Sequence, residues 1–161
     1  MRAIDKIIIH CSDSKWGCAE EIDSWHVDRG FDCIGYHFVI LNGYLHNSRV
    51  FNPTFDGGLE TGRDINTVGA HCKGHNDTSI GIVLIGVDVF TPKQMHTLQV
   101  LVDTLAIFYG KLPVFGHYEF NSHKTCPNMD MDVVRKSFYG SVPRKPRSNR
   151  IGRRIRSNLE V

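Results

Sequence analysis

Three side chains with metal-binding chemistry stand where a small fold can bring them together: His10, His117 and Cys126. His10 closes the apolar run Ile7-Ile8-Ile9, His117 closes the shorter run from Pro113 to Gly116, and Cys126 follows one loop later. Ends of neighbouring strands are where residues distant in sequence converge on one cleft. Two imidazoles and a thiolate leave a tetrahedral zinc ion one open position, the arrangement of a catalytic rather than a structural site. They also leave the ion a net positive charge, which keeps it Lewis acidic.

Residue types alone leave other readings open. Each of the three could equally be a packed polar residue or a buried free thiol. A thiol hydrolase would use Cys126 as nucleophile and His117 as base. That scheme leaves His10 without a role, and Pro127 removes a backbone N–H from a place where an oxyanion donor is useful. A zinc finger needs closely spaced cysteines followed by a histidine pair, and the chain has no such spacing.

The elements that position these residues can be read from periodicity. Ala3 to Cys11 is isoleucine-rich and loosely alternating, a central strand with His10 and Cys11 on opposite faces. Ala19, Ile22, Trp25 and Arg29 have helical spacing, with acids in the first turn and Gly30 as a stop. Tyr36 to Leu41 reads as a second strand running into Asn42-Gly43, a hairpin signal, with Tyr44-Leu45 beginning the return. Asn47 to Gly58 is a loop or insertion before a short strand at Leu59 to Gly62, and Ser79 to Gly86 is apolar on both faces, an interior strand. Thr91-Pro92-Lys93-Gln94 is a helix start with cap, proline and reaching glutamine; the stripe Met95, Leu98, Leu101, Leu105, Phe108 follows, ended by Gly110. Pro113 to Gly116 is a strand and Asp130 to Tyr139 a last amphipathic helix. This order predicts one α/β domain over residues 1–140, a central mixed β-sheet flanked by helices, followed by a basic, flexible tail over residues 141–161.

Composition agrees with a globular chain: 161 residues, 41% hydrophobic and 22% charged. No apolar run reaches the roughly 20 residues of a bilayer span. The N-terminus lacks the apolar segment of a signal peptide, so synthesis in the cytoplasm without export signal is expected. Five cysteines, odd in number and irregularly spaced, do not form a disulfide framework. Arg144, Lys145, Arg147, Arg150, Arg153, Arg154 and Arg156 crowd the tail against Glu160 alone, so the rest of the chain is mildly acidic although the whole carries +2. An acidic body argues against nucleic acid as a partner and leaves any affinity for polyanions to the tail.

A series of motifs then falls in order along the chain: Ile7-Ile8-Ile9-His10-Cys11-Ser12, Trp25-His26 with Arg29-Gly30-Phe31, Ile34-Gly35-Tyr36-His37-Phe38, Gly62-Arg63, Gly69-Ala70-His71 with Asn76, Ser79-Ile80-Gly81-Ile82, Gly116-His117 with Glu119, and Lys124-Thr125-Cys126-Pro127. Together they resemble the type 2 N-acetylmuramoyl-L-alanine amidases, a family that includes phage endolysins and peptidoglycan recognition proteins. The resemblance runs from Ile7 to Tyr139. It implies one Zn2+ per chain held by His10, His117 and Cys126, and catalytic side chains at Tyr36 and Lys124. Two departures are an insertion between Gly43 and Asp56 and about one extra residue between His117 and Lys124.

The implied reaction is hydrolysis of the amide joining N-acetylmuramic acid to L-alanine in peptidoglycan, with Tyr36 and Lys124 as oxyanion donors or Tyr36 as a proton relay. Arg63, His71 and Asn76, in polar loops with glycine neighbours, are candidate substrate-binding residues. His37 is expected behind the site, and His26 at the surface or in a structural role, with Trp25 in the core. A phage endolysin released through a holin pore is the expected setting, acting on the cell wall as a monomer, with a bacterial or prophage amidase as the alternative. A recognition protein that binds without cleaving is disfavoured, because in such members the cysteine is replaced.

Overall fold

The computed structural model describes residues 2–47 and 50–139. Its first strand, β1 (Lys6–Cys11), is interior to the sheet and buried from Ile7 onward. A strand covered on both faces needs apolar residues at consecutive positions, which Ile7, Ile8 and Ile9 supply. The other strands are β2 (Phe38–Asn42), β3 (Asp56–Thr61), β4 (Ser79–Leu84) and β5 (Val114–Gly116). They form one five-stranded sheet in the order β3-β2-β4-β1-β5. β1 runs parallel to β4 and β5, β2 runs parallel to β4, and only the edge strand β3 is antiparallel.

The sheet is covered on both faces, which is why its interior strands carry no polar side. Ile7, Ile9, Ile80, Ile82 and Leu84 pack with Leu98, Leu101, Val102 and Leu105 of α2 (Pro92–Tyr109) and with Met131 and Val134 of α3 (Met131–Tyr139). On the other face Val39, Leu41, Val83 and Ile85 pack with Ile22 of α1 (Ala19–Val27). Each fully buried leucine or isoleucine contributes about 2 kcal/mol. His10 alternates with Ile9, so it points to the α1 side.

The start of α2 follows the sequence reading closely. Gln94 N–H donates to the Thr91 hydroxyl, and Gln94 Oε1 accepts from Thr91 N–H, at 3.1 and 3.0 Å. The same glutamine is fully buried and its Nε2 donates to Ile40 O and Ile85 O, tying the helix start to the ends of β2 and the β4 segment.

The hairpin differs from expectation. Tyr44 and Leu45 do not return along β2; the antiparallel partner is β3, with Asn42 opposite Asp56. Asn42 instead turns its side chain into the loop, accepting from Tyr44 N–H and donating to Lys15 O. All five cysteines are free thiols. No helix among the described residues is long and apolar enough to cross a membrane. The tail expected over residues 141–161 lies outside the described residues.

Candidate active site

The parallel register of β1 and β5 pairs Ile9 with Gly116, so the next residues along, His10 on β1 and His117 in the turn that follows β5, are neighbours. Their rings lie 4.7 Å apart. Cys126 arrives from a loop fastened to both: its Sγ accepts from Cys11 N–H at 3.2 Å and its carbonyl from Tyr118 N–H at 2.9 Å. The ligand atoms of His10, His117 and Cys126 all lie within 4.8 Å of one another. His10 presents Nδ1 to this cluster, 3.8 Å from Cys126 Sγ.

The other side of the His10 ring is held by a buried chain. His10 Nε2 is 3.0 Å from His71 Nδ1, His71 Nε2 is 3.3 Å from Ser79 Oγ, and Ser79 Oγ donates to His75 O at 2.7 Å. With Nδ1 of His10 free of a proton, every donor and acceptor in this chain is satisfied in one direction, from His10 outward. His71 fits only because β4 has no side chain at Gly81, where a Cβ would meet the His71 ring at 2.5 Å.

Electrostatics favour neutral imidazoles. Burial, followed by His71 and His117, holds the His10 pKa well below the ordinary histidine range, and burial with the Lys124 charge lowers that of His117. Unprotonated nitrogens are what a cation needs. Cys11, then burial, pushes the Cys126 thiol above its usual range, the reverse of an activated nucleophile. Burial raises the Tyr36 phenol, so it remains a hydrogen-bond donor at any working pH.

A cleft of about 390 Å³ opens over the cluster, lined by His10, His117, Cys126, Tyr36 and Lys124 among others. The Tyr36 ring is 5.0 Å from the His10 ring, and Lys124 is exposed at the rim. Trp25 and His26 of α1, with Arg29 just beyond its end, form another wall, a contribution the sequence reading missed. Their spacing with Ile22 did mark one helix face, but spacing does not say whether that face meets core or cleft. His26 is buried, with Nδ1 accepting from Gly35 N–H at 2.9 Å.

The residues expected to line a substrate groove are placed otherwise. Arg63 spends its guanidinium on the carbonyls of Ile34, Val68 and Cys33. Asn76 Oδ1 accepts from the N–H groups of His71 and Cys72. Both are loop braces outside the cleft. His71 lines an adjoining cavity shared with His117 and Lys124, while its ring nitrogens are turned to His10 and Ser79. His37 is buried as expected, accepting from Gly81 N–H and facing Thr67 O. Behind His117, Glu119 Oε2 accepts from Gly116 N–H and from Arg135 Nη1, both at 2.8 Å. That ion pair, with side chains 5% and 10% exposed, braces the turn that carries His117.

The family model described as N-acetylmuramoyl-L-alanine amidase matches residues 1–129. The chain belongs to that family. The amidase is 36% identical over 138 residues to the endolysin of Escherichia phage T7, covering 79% of this chain and 82% of that protein. It is 34% identical over 137 residues to the endolysin of Klebsiella phage KP32, covering 78% and 82%. Among solved structures, the N-acetylmuramoyl-L-alanine amidase LysC from Clostridium intestinale matches with a TM-score of 0.72 and 26% identity, over 84% of this chain and 85% of that one. The mixed sheet with α1 on one face and α2 and α3 on the other is therefore the amidase fold.

Proposed function

We propose that this amidase holds one zinc ion through His10 Nδ1, His117 and Cys126, and hydrolyses the bond between the lactyl group of N-acetylmuramic acid and L-alanine as a phage endolysin. The observation that carries the reading is the convergence of three ligand atoms within 4.8 Å at the floor of the cleft. The donor set fits the metal, since two neutral imidazoles and a thiolate suit zinc and leave a position open toward the cleft. Zinc so held supplies a Lewis acid that acidifies water to a pKa of about 7 and polarises a carbonyl.

The chain's own residues do the rest. Tyr36, kept protonated by burial, offers its O–H to the oxygen of the scissile carbonyl as negative charge develops there. Lys124, exposed at the rim, brings a cation to the same cleft. Trp25 and His26 limit access of water and orient the muramyl peptide along the α1 wall. The endolysin relatives support a lytic setting, in which the monomer reaches the cell wall by holin-dependent release.

Elemental analysis of the purified protein, paired with mass spectrometry of digested peptidoglycan, tests this reading. One zinc per chain and stem peptides freed at L-alanine are expected. An active preparation without transition metal, or cuts between sugars, would overturn it. Residues 141–161 add attraction to an anionic envelope, about 1 kcal/mol per basic residue near such a surface when unscreened. Truncation after Gly140 accordingly spares cleavage of soluble muropeptide and weakens lysis of outer-membrane-stripped cells, more so at low salt.

A further inference from the structure

Beside the cleft lies a second cavity, of about 600 Å³, lined by Lys15, Trp16, Tyr44 and Asn47. None of these residues takes part in the chemistry above. The two cavities share a wall: Trp16 stands edge-on to Trp25, ring centroids 5.2 Å apart and planes at 83°, and Trp25 lines the cleft. The second cavity is thus separated from the first by one indole pair.

Its rim is built from two segments fastened together. Asn42 Nδ2 donates to Lys15 O at 2.9 Å, and Gly17 N–H donates to Tyr44 O at 2.8 Å. The insertion after β2 supports the Tyr44 side: Asn52 N–H donates to Gly43 O at 2.8 Å, and the Phe51 ring lies 5.2 Å from the Tyr44 ring. Trp16 and Tyr44 are only half-buried, while Lys15 and Asn47 are exposed at the edge. Two aromatic faces flanked by an amide and an ammonium suit a sugar, whose C–H faces stack on rings while its hydroxyl and acetamido groups take hydrogen bonds.

The substrate requires such a place. In polymeric peptidoglycan the muramic acid whose lactyl amide is cut continues on both sides into the glycan strand. Any enzyme that seats that amide over the cleft must route the neighbouring sugars across its surface. We propose that the cavity of Lys15, Trp16, Tyr44 and Asn47 is a glycan subsite, which holds N-acetylated sugars adjacent to the muramic acid being cleaved. The insertion between Gly43 and Asp56 then has a role: it backs the Tyr44 wall. This inference rests on the amidase reading.

The test compares wild type, Trp16→Ala and Tyr44→Ala on two substrates, an uncross-linked glycan polymer carrying stem peptides and a single-sugar muramyl peptide. In both variants kcat/KM on the polymer is expected to fall about tenfold further than on the single-sugar substrate. Tyr44→Ala is the safeguard, because the Tyr44 ring packs on Phe51, whereas the cleft residue Trp25 packs on Trp16. In parallel, peptide-free oligosaccharide of alternating N-acetylglucosamine and N-acetylmuramic acid is titrated against the wild type while the indole N–H signals are followed by NMR. A saturable shift at Trp16 is expected. Equal losses on the two substrates, no loss on either, or no shift at Trp16 would each overturn the subsite. A protein that binds the oligosaccharide at Trp16 yet cuts neither substrate fails as an amidase instead, so the two outcomes are distinguishable.

Discussion

His10 Nε2 and His71 Nδ1 face each other at 3.0 Å, both buried, and this contact settles which nitrogen of His10 is turned to the cleft. A ring whose far nitrogen donates to a fixed acceptor keeps its near nitrogen unprotonated and correctly aimed. His71→Phe keeps the ring volume but removes the acceptor. Zinc affinity, measured by competition with a chelator, should weaken about 10- to 100-fold, with the fold retained by circular dichroism. Unchanged zinc affinity together with weaker peptidoglycan binding would return His71 to the role of a substrate contact.

Cys126 and Lys124 separate metal binding from chemistry. Cys126→Ser puts a neutral, poorer ligand in place of a thiolate, so zinc content and hydrolysis should both collapse. Lys124→Ala should keep zinc and lose about two to three orders of magnitude in turnover, the effect of removing one transition-state donor. Metal content and steady-state rates on the same preparations check both. A Cys126→Ser protein that retains zinc but not activity would favour the thiol-nucleophile scheme.

Glu119 and Arg135 form a buried pair behind His117. Glu119→Ala removes one of the two carboxylates on the buried Arg135 guanidinium, Asp132 remaining as the other, and strands the Gly116 N–H, at a cost of about 3 kcal/mol in unfolding free energy. Urea denaturation measures it. A double variant, Glu119→Leu with Arg135→Met, should lose less than the sum of the single losses, since no buried charge is left behind and the carboxylate it frees, Asp132, is exposed.

Acid should weaken the fold before it titrates the carboxylates. Burial holds the pKa of His26 and of His37 down at about 4, whereas an unfolded histidine sits near 6.5. The unfolded chain therefore takes up these protons first. Their contribution is complete above pH ~6.5 and declines from there to pH ~4, by about 1.4 kcal/mol per pH unit for each histidine. Below that both states are protonated and these two groups add no further loss. Urea midpoints at about pH 7, 6 and 5 should fall in that order, less steeply in His37→Gln.

Much of this architecture was legible because the signals were local. The Thr91 to Gln94 box starts α2, the doubly apolar run from Ser79 is the buried β4, and His10 and His117 close strands that turn out to be neighbours. β3 was read from Leu59 rather than Asp56, because its first half is the glycine-rich start of an edge strand of sequence DGGLET, half solvated and without alternation. Asn42-Gly43 signalled a turn truly, but the following residues brace Lys15 and Gly17 rather than pair with β2. Arg63 and Asn76 looked like ligand-binding residues because polar side chains among glycines serve either purpose; only their partners, all backbone groups, decide it. Trp25 was hidden for the same reason: helical spacing defines a face, not its neighbour.

The three candidate ligands differ in how they are anchored, and this has a kinetic consequence. His10 lies within β1, an interior strand paired on both sides, and His117 follows directly on its neighbour β5, so both are anchored by the sheet itself. Cys126 hangs from an exposed loop latched by the Cys11 and Tyr118 amides. With zinc bound as proposed, exchange would proceed by unlatching that loop, with the histidine pair waiting as a preset, two-toothed claw. Release of the ion would then be a loop-opening event decoupled from global unfolding, and amide hydrogen exchange should show Cys11 and Tyr118 opening well before Ile9.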